Sequence, residues 1–528
     1  MRINLLEALS DNIKVNKDKC TACGVCVDTC ILDNLRLKLA PCRQACPLGV
    51  NCQGYVQLIL RGEDAAGLEM VGRTLPFPGI LGRLCSAQCE ASCERKKQTG
   101  EAVAIRALKR YLSEAGGEMP LPERAPETGK RVAVVGSGPA GMLAAWDLAV
   151  KGHTVTVYDA QSEPGGMLRW AVPAYRLPLE VLGAEWGRLE ALGVSFQGNT
   201  ALGRDFTLEQ LSGDYDAVVL ALGCPESRRL GVEGEDAQGV YHALDLLKAA
   251  RGDDPPSLSG KVVVIGGGEV ALDTAQTALR LGAESVTVVS LEDRQGMPAT
   301  PEALALAEAE GVVLDGSWGP TRILTQDGAV SGLELKRCLA VLDNEGNFAP
   351  SYDECQLNTM EANAVIVAIG QEREASLPGG PGSCDPLTLQ TPVANVFLAG
   401  DAVGGPSTIV EAMASGRRAA ESAHRLVSGE HLTYGREYPG PVETEYEIDH
   451  SRGSDAARAQ IPLRRLSGAG DFAEVEQCLS PEDARAEAGR CYSCGAPFGK
   501  FRTCWFCLPC EVECPQEALW VDIPYLLR

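Results

Sequence analysis

Short apolar runs of the buried-strand type alternate with apolar helical stretches through residues 131–430. The helical stretches are AGMLAAWDLAVKG (140–152) and EVALDTAQTALRLGA (269–283), each with a strand-like run directly before and after it. The strand-like runs are RVAVVG (131–136), TVTVYD (154–159), DAVVLALG (216–223), KVVVIG (261–266), SVTVV (285–289) and NAVIVAIG (363–370). This alternation is typical of parallel sheets covered by helices, so the pattern predicts two α/β units.

The pattern changes on both sides of this region. Before it, QGYVQLILRGEDAAGLEMV (53–71) and EAVAIRALKRYLSEA (101–115) place apolar residues at helical spacing, which predicts a helical domain. The stretch 116–130 is rich in Pro, Gly and Glu and is predicted to be an exposed linker. Residues 431–490 are polar and are predicted to form a tether with one helix at PEDARAEAGR (481–490).

Composition and charge narrow the class of protein. The chain has 528 residues, a net charge of −23 and only 5 histidines. The negative charge argues against a nucleic-acid partner, and the lack of a long uncharged apolar run argues against a membrane span. The first residues lack the apolar core of a secretory signal. The scarcity of histidine disfavours a histidine-based metal or acid–base site.

The 21 cysteines are unevenly placed, with ten between Cys20 and Cys93 and six between Cys491 and Cys514. Disulfide frameworks belong to small secreted domains, and this chain is neither small nor of secreted type. The clustering therefore predicts metal or iron–sulfur ligation, which implies a reducing cytoplasm.

The first α/β unit carries a dinucleotide-binding pattern. Gly136, Gly138 and Gly141 form G-x-G-x-x-G between a strand and a helix. Glycines at these positions let the backbone approach a pyrophosphate, which binds the free N–H groups at the helix N-terminus. Asp159, at the end of the next strand, is predicted to accept hydrogen bonds from ribose hydroxyls. The strand, helix, strand and acid in this order predict an FAD site rather than a merely tight turn.

The second unit repeats the pattern as Gly266, Gly268 and Ala271, again between a strand and a helix. Glu292 follows the second strand of this unit. A carboxylate there repels a 2′-phosphate and can bind the ribose diol, so NAD(H) is favoured over NADP(H). The alternative is that Glu292 is a solvated loop residue.

A third segment, VFLAGDAVGGPSTIVEAMASGRRAA (396–420), places Gly400 and Asp401 between a strand and a helix. Asp401 is predicted to bind the ribitol or a phosphate of the flavin. Together the three segments predict an α/β two-dinucleotide-binding flavoprotein, with the NAD domain inserted into the FAD domain. The predicted divisions are 1–40 (cysteine loop), 41–115 (helical iron–sulfur domain), 116–130 (linker), 131–255 (first segment of the FAD-binding domain), 256–375 (NAD(H)-binding domain), 376–430 (second segment of the FAD-binding domain), 431–490 (tether) and 491–528 (ferredoxin-like module).

Two cysteine loops have the C-x2-C-x2-C-x3-C spacing of bacterial ferredoxins, whose thiolates hold [4Fe–4S] clusters. One spans 20–30 and the other 504–514, and the fourth cysteine of such a loop can serve either cluster. The motif RCYSCG adds two thiols for a second cluster or a small zinc site. The sixteen candidate ligands are Cys20, Cys23, Cys26, Cys30, Cys42, Cys46, Cys52, Cys85, Cys89, Cys93, Cys491, Cys494, Cys504, Cys507, Cys510 and Cys514. Two to four [4Fe–4S] clusters are predicted.

The order of these motifs resembles the small subunit of bacterial glutamate synthase and the NADPH-oxidising half of dihydropyrimidine dehydrogenase, from about Cys42 to His424. It is also similar to the large subunit of NADH-dependent ferredoxin:NADP oxidoreductase. The most specific parts are CPLG, RLCSAQCEASC, the segment 396–418 and GGMLRWAVPAYRLP (165–178), whose Gly165 and Gly166 are assigned to the cofactor site. The C-terminal RCYSCG and ferredoxin motif resemble a subset of these subunits with an extra cluster domain.

The resemblance implies one FAD, one nicotinamide site and two N-terminal [4Fe–4S] clusters. Cys46, Cys85 and Cys89 would hold one cluster, and Cys42 and Cys93 would belong to the other.

The chain departs from the family in three places. The family has two further cysteines where this chain has Asn34 and Leu37, and the loop 20–30 is a candidate replacement. The family often has Glu or Gln as a fourth ligand where this chain has Lys109, so either Cys52 replaces it or that cluster is missing. NADPH-using members have paired arginines where this chain has Leu291–Glu292, which again favours NADH.

The expected function is an NADH-oxidising or NAD-reducing electron-transfer subunit that uses FAD and clusters. Its partner is expected to be a catalytic oxidoreductase subunit or ferredoxin, in a cytoplasmic hetero-oligomer. The alternatives are an NADPH-dependent glutamate synthase small subunit and an electron-bifurcating transhydrogenase-type subunit. A flavin thiol–disulfide reductase is disfavoured because Cys224, Cys338, Cys355 and Cys384 include no close pair in sequence. A non-catalytic electron-wire scaffold is disfavoured because both nucleotide fingerprints are intact.

Overall fold

The computed structural model describes residues 12–252, 254–373, 380, 383–500, 504 and 506–522. The predicted polar leader before residue 12 lies outside the described residues, as does the predicted boundary at 375/376. Within the described chain, no helix is both long and apolar enough to cross a membrane.

The first parallel sheet has five strands in the order β17–β6–β3–β4–β5. Its strands are β3 (Arg131–Val135), β4 (Thr154–Tyr158), β5 (Ser195–Gln197), β6 (Ala217–Leu220) and β17 (Val396–Leu398). The helices of this region are α9 (Pro139–Val150), α10 (Met167–Trp170), α11 (Leu179–Ala191), α12 (Leu208–Asp214), α16 (Asp401–Gly404) and α17 (Ile409–Ser428). Helices α9 and α17 cross closely at Gly416. A Cβ at that position would lie 2.1 Å from the carbonyl oxygen of Ala140, so only glycine permits this approach.

The second parallel sheet has the order β11–β10–β9–β15–β8. Its strands are β8 (Val240–His242), β9 (Lys261–Ile265), β10 (Ser285–Ser290), β11 (Val313–Gly316) and β15 (Ala364–Val367). Its helices are α13 (Ala243–Ala250), α14 (Glu269–Arg280) and α15 (Pro301–Ala309). All six apolar runs form strands, but β8 joins this sheet from before the predicted boundary at 256.

An antiparallel sheet that the sequence analysis did not anticipate lies between β11 and β15. Its strands are β12 (Trp318–Gln326), β13 (Ala329–Leu342) and β14 (Phe348–Glu361), and a short pair, β7 (Glu226–Ser227) and β16 (Gln371–Glu372), lies apart from it. Several shifts of register interrupt the pairing of β13 with β14, so the apolar–polar alternation along these strands is irregular.

The helical domain before the linker packs on the flavoprotein core. Its helices are α1 (Val25–Asp28), α2 (Pro41–Gln44), α3 (Cys52–Arg61), α4 (Asp64–Gly72), α5 (Pro78–Leu84), α6 (Gln88–Ala91), α7 (Glu94–Thr99) and α8 (Ile105–Ala115). Glu185 of α11 accepts hydrogen bonds from the backbone N–H of Gly79 (2.5 Å) and of Ile80 (3.1 Å). Burial raises the pKa of Glu185 to about 8, although these two donors act against the rise.

The N-terminal and C-terminal segments, predicted as separate modules, pack together instead. Strand β1 (Ile13–Val15) pairs antiparallel with β20 (Leu519–Val521). A second small sheet has the order β18–β2–β19 and joins β18 (Val442–Glu443), β2 (Leu35–Lys38) and β19 (Pro497–Gly499). The two remaining helices are α18 (Pro481–Ala488), inside the helix predicted at 481–490, and α19 (Pro509–Val512). Since the paired strands come from opposite ends of the sequence, neither segment forms its sheets alone.

The predicted tether is held against the helical domain. Arg106 pairs with Glu476 at 2.8 Å, and Arg83 pairs with Glu474 at 2.7 Å. Residues 431–490 therefore form a packed connection between the flavoprotein core and the C-terminal cysteines.

Candidate functional site

The N-terminus of α9 is the point at which the predicted flavin-site residues converge. Gly136 has φ +104°, and a Cβ there would lie 2.2 Å from the carbonyl oxygen of Ala221. A Cβ on Gly141 would lie 1.9 Å from the carbonyl oxygen of Gly136, and Gly138 is the N-cap of the helix. The loop therefore needs glycine, and it leaves the first N–H groups of α9 facing outward, as pyrophosphate binding requires.

Asp159 lies beneath this loop and orders it. One of its carboxylate oxygens accepts hydrogen bonds from the Ser137 backbone N–H (2.8 Å) and hydroxyl (2.5 Å). The same Ser137 hydroxyl accepts a hydrogen bond from the N–H of Gly165 at 3.0 Å. A Cβ on Gly166 would lie 2.7 Å from the Cα of Gly138, so the two glycine loops meet backbone to backbone. The structure thus brings these predicted residues together, and Ser137 is a member that the sequence analysis missed.

Gly400 and Asp401 reach the same helix end from the other side. Gly400 has φ +64°, and a Cβ on it would lie 2.8 Å from the Cβ of Ala140. The Asp401 carboxylate accepts hydrogen bonds from the Ser407 N–H (3.1 Å) and hydroxyl (2.6 Å). Burial raises the pKa of Asp401, and the Ser407 donors oppose that rise.

The second glycine loop repeats this geometry at the N-terminus of α14. Gly266 has φ +139°, and a Cβ there would lie 2.2 Å from the carbonyl oxygen of Ala368. Gly268 is the N-cap of the helix, and Ala271 is fully buried beneath the loop. The loop and helix N-terminus again suit a pyrophosphate.

Glu292 lies directly over this second loop. Its carboxylate oxygen is 3.2 Å from the position that a Cβ on Gly267 would occupy. The Ser290 hydroxyl donates a hydrogen bond to the Glu292 carbonyl oxygen at 2.7 Å, which holds the chain at the end of β10. The carboxylate therefore faces the loop that the nucleotide would occupy.

A partly buried ion pair connects the two nucleotide-binding units. Arg176, in the segment 165–178, donates to both carboxylate oxygens of Asp273 on α14 at 2.8 Å. Glu269, at the first position of α14, lies 3.5 Å from the same guanidinium. The neighbouring Tyr175 hydroxyl donates to the Asp273 carbonyl oxygen at 2.9 Å. Sequence spacing carried no signal for this link, because its partners lie about a hundred residues apart.

The structure arranges the sixteen predicted cysteine ligands in four groups of four. Group I is Cys46, Cys52, Cys85 and Cys89. Group II is Cys42, Cys93, Cys491 and Cys494. Group III is Cys20, Cys23, Cys26 and Cys514. Group IV is Cys30, Cys504, Cys507 and Cys510.

Group I surrounds Lys109, which is buried. Burial by itself lowers the pKa of Lys109, but the four thiols around it reverse the direction and raise it. Cys52 shares hydrogen bonds with both Cys42 and Cys89, so it lies between groups I and II, and its proximity to Cys46, Cys89 and Lys109 makes it the candidate fourth ligand of group I. Lys109 is thus a neighbouring cation within the ring of cysteines.

Group II combines cysteines from both halves of the sequence and lines one pocket. The loop 20–30, which the sequence analysis offered as the replacement at Asn34 and Leu37, belongs to groups III and IV instead. Cys491 and Cys494 lie beside Cys42, because strand β19, which follows them, pairs with β2, which precedes Cys42.

Groups III and IV exchange their fourth cysteines. Cys514 of the C-terminal loop joins the first three cysteines of the N-terminal loop around a second pocket. In return Cys30 lies beside Cys510. This exchange follows the ferredoxin rule in which the fourth cysteine serves the other cluster.

The donor sets suit [4Fe–4S] clusters. Each group offers four thiols, and backbone N–H groups already donate to sulfur: Ala22 to Cys20 (3.4 Å), Ser493 to Cys491 (3.3 Å), Phe506 to Cys504 (3.4 Å) and Ala518 to Cys514 (3.2 Å). Among the described residues, no three His, Cys, Asp or Glu side chains converge closely enough to hold a single metal ion. The thiols of groups II and III instead line pockets, as ligands of a multi-atom cluster do.

Comparison with known families matches two family models. Residues 130–416 match the pyridine nucleotide-disulphide oxidoreductase family, and residues 8–120 match the 4Fe-4S cluster domain II of dihydropyrimidine dehydrogenase. The matched ranges cover both nucleotide-binding units and the helical domain.

Individual proteins that are similar to this chain include oxidoreductase subunits of the same kind. The chain is 35% identical to subunit beta of NADP(+)-dependent formate dehydrogenase from Moorella thermoacetica, over 86% of this chain and 70% of that protein. It is 31% identical to the glutamate synthase (NADPH) small chain of Escherichia coli, over 79% of this chain and 92% of that protein. The solved structure of Mycobacterium tuberculosis FprA in complex with NADPH shares the fold, with 20% identity and a TM-score of 0.50 over 58% of this chain and 85% of that one. The chain therefore belongs to the pyridine nucleotide-disulphide oxidoreductase family, and it is an NAD(P)H-dependent flavoprotein oxidoreductase with an iron–sulfur domain.

Proposed function

We propose that this chain is the NADH-oxidising (or NAD-reducing) subunit of a larger complex. It carries electrons between NAD(H) and a partner oxidoreductase subunit or ferredoxin, with FAD and four [4Fe–4S] clusters as its redox groups. The observation that carries the proposal is that the four cysteine groups form one continuous series that begins beside the flavoprotein core.

The series is connected at every step. On the flavoprotein side, Gln88 next to group I donates to Glu411 of α17 at 3.0 Å. Group I adjoins group II, because the thiols of Cys42 and Cys52 share a hydrogen bond. Lys17 lies between groups II and III, with its ammonium 3.1 Å from the carbonyl oxygen of Ser493.

The last step joins the two ferredoxin-type loops. Cys26 of group III is close enough to Cys510 of group IV for their charges to interact. Group IV lies at the outer end of the series, where Cys507 is exposed to solvent. Partner access at this end agrees with a subunit that passes electrons to another chain.

The proposed hydride and electron transfer needs no general acid or general base from the protein. NADH gives up a hydride, which is one proton and two electrons, while each cluster accepts one electron, and FAD can accept two and release them singly. The chain's residues bind and orient: the two glycine loops hold the dinucleotides, and the Arg176–Asp273 pair sets one loop against the other. His153, which follows α9, and His424 of α17 form a hydrogen bond of 2.9 Å between their rings, and burial lowers the pKa of His153 to about 4.

NADH is proposed over NADPH because the loop that would receive a 2′-phosphate faces the Glu292 carboxylate. The neighbouring position is Leu291, which cannot bind a phosphate as an arginine would. The Moorella and Escherichia relatives carry NADP(+) and NADPH in their names. Both are also named as one subunit or chain of an enzyme, which supports a partner for this chain.

The test is an anaerobic titration of the purified protein with NADH and then, separately, with NADPH, followed by visible absorbance. We expect NADH to bleach the flavin and then the broad cluster absorbance, and NADPH to do so far more weakly. Bleaching by NADPH alone would overturn the nucleotide assignment. No bleaching by either nucleotide, with flavin bound, would overturn the catalytic proposal.

A further inference from the structure

We propose that group II binds one [4Fe–4S] cluster whose ligands come from both ends of the sequence: Cys42 and Cys93 from the helical domain, Cys491 and Cys494 from the C-terminal segment. This inference rests on the proposed function for its biological use, but its test does not depend on nicotinamide chemistry.

Strand pairing explains how the C-terminal segment reaches Cys42. Leu37 is buried in β2, the strand just before Cys42. Leu37 is directly paired with Pro497, three residues beyond Cys494. The strand that leads to Cys42 therefore also positions Cys494.

The four cysteines of group II line one cavity. Cys52 of group I reaches it as well. Its other walls combine apolar side chains, among them Val56, Val103 and Ile105, with the polar side chains of Gln53, Glu94 and Arg95. Cys93 and Cys491 lie close to Cys494, and Cys42 lies close to both C-terminal cysteines.

The C-terminal loop is anchored to the helical domain by buried charges. Arg490 is fully buried and pairs with Glu487 at 2.6 Å. It also donates to the carbonyl oxygen of Ala102 at 2.8 Å. From the other side, Arg95 donates to the Arg490 carbonyl oxygen at 2.9 Å. These bonds fix the backbone immediately before Cys491.

Further bonds fix the backbone after it. Lys17 donates to the carbonyl oxygens of Ser493 (3.1 Å) and Gly495 (2.5 Å). Gln53 donates to the Ser493 hydroxyl at 3.1 Å, and the N–H of Ser493 donates to the sulfur of Cys491 at 3.3 Å. A loop held on both sides is pre-organised for ligation, as precise sites require.

The experiment compares double variants of the full-length protein, purified anaerobically and analysed for iron, sulfide, zinc and flavin. Cys491→Ser with Cys494→Ser should remove one quarter of the iron and sulfide and leave the flavin content unchanged. The matched control, Cys384→Ser with Cys478→Ser, changes two partly buried cysteines outside the four groups and should retain all the iron.

The decisive comparison is with the N-terminal half of the site. Cys42→Ser with Cys93→Ser should remove the same quarter, and the four changes together should remove no more than that. Loss of half the iron in the quadruple variant, full iron in the C-terminal double variant, or zinc bound in place of iron would each overturn the assignment.

A second readout covers variants that accumulate poorly. Serine can keep a cluster bound while shifting its spectrum, so Cys42→Ser and Cys494→Ser should each alter the same electron paramagnetic resonance signal of the dithionite-reduced protein. Changes in two different signals would overturn the proposal. Because dithionite replaces NADH here, a protein that fails the nicotinamide titration can still pass this test.

Discussion

Replacing Arg176 with methionine should weaken the link between the two nucleotide-binding units. The change removes two 2.8 Å hydrogen bonds and leaves the Asp273 carboxylate, whose side chain is 12% exposed, without its main partner. Stranding one member of a buried pair typically costs about 3–5 kcal/mol. Because the Arg176 side chain is 30% exposed, solvent screening should bring the cost below that range, to about 2–3 kcal/mol.

The loss should depend on pH in a defined direction. Burial raises the pKa of Asp273, and Arg176 is the main charge that opposes the rise. Without Arg176 the folded-state pKa moves further above the unfolded value of about 3.9, so stability is lost as pH rises through the folded-state pKa. The deficit of the variant should therefore be larger at about pH 8 than at about pH 5.5.

The assay is thermal unfolding of wild type, Arg176→Met and the double variant Arg176→Met with Asp273→Leu, at both pH values. A deficit of about 2–3 kcal/mol corresponds to about 4–12 °C in the melting temperature. Removing both charges should restore most of it, since no carboxylate is then stranded. Equal melting temperatures for the single and double variants would refute the reasoning.

The same variant should keep its flavin but show slower flavin reduction by NADH, by about tenfold, because the second loop is less firmly positioned against the first. Rapid-mixing absorbance under anaerobic conditions measures this rate. An unchanged rate would show that the ion pair stabilises the fold without positioning the nucleotide.

Three further predictions test other regions of the site. Gly141→Ala should lower the flavin content of the purified protein strongly, because the new Cβ would meet the Gly136 carbonyl oxygen at 1.9 Å, whereas Gly183→Ala, in open space on α11, should keep it; equal content would contradict this. Glu292→Gln should improve the kcat/KM for NADPH relative to NADH by about tenfold, since it removes a carboxylate that repels the 2′-phosphate; an unchanged ratio in steady-state assays would argue against that role. Glu185→Gln should gain melting temperature relative to wild type as pH rises from about 5 to about 8, because the wild-type carboxyl, with its pKa of about 8, loses stability over that interval; parallel pH curves would refute it.

Local patterns were enough to predict the nucleotide-binding core. A strand, a glycine turn and a helix N-terminus are built from consecutive residues, so the spacing of Gly136, Gly138 and Gly141 carries the geometry directly. The apolar runs likewise identified the strands of both parallel sheets. The antiparallel strands β12 to β14 were not predicted because register shifts interrupt the apolar–polar alternation that reveals a strand, and because β14 has no buried residue.

The sequence by itself determined that sixteen cysteines serve as candidate ligands, but it left their partition open. Spacing relates only neighbours in the chain, whereas groups II, III and IV each combine cysteines more than 390 residues apart. The pairings of β2 with β19 and of β1 with β20 decide which thiols meet. The tertiary structure alone made that choice, because such long-range contacts form only when both segments are held on the same helical domain.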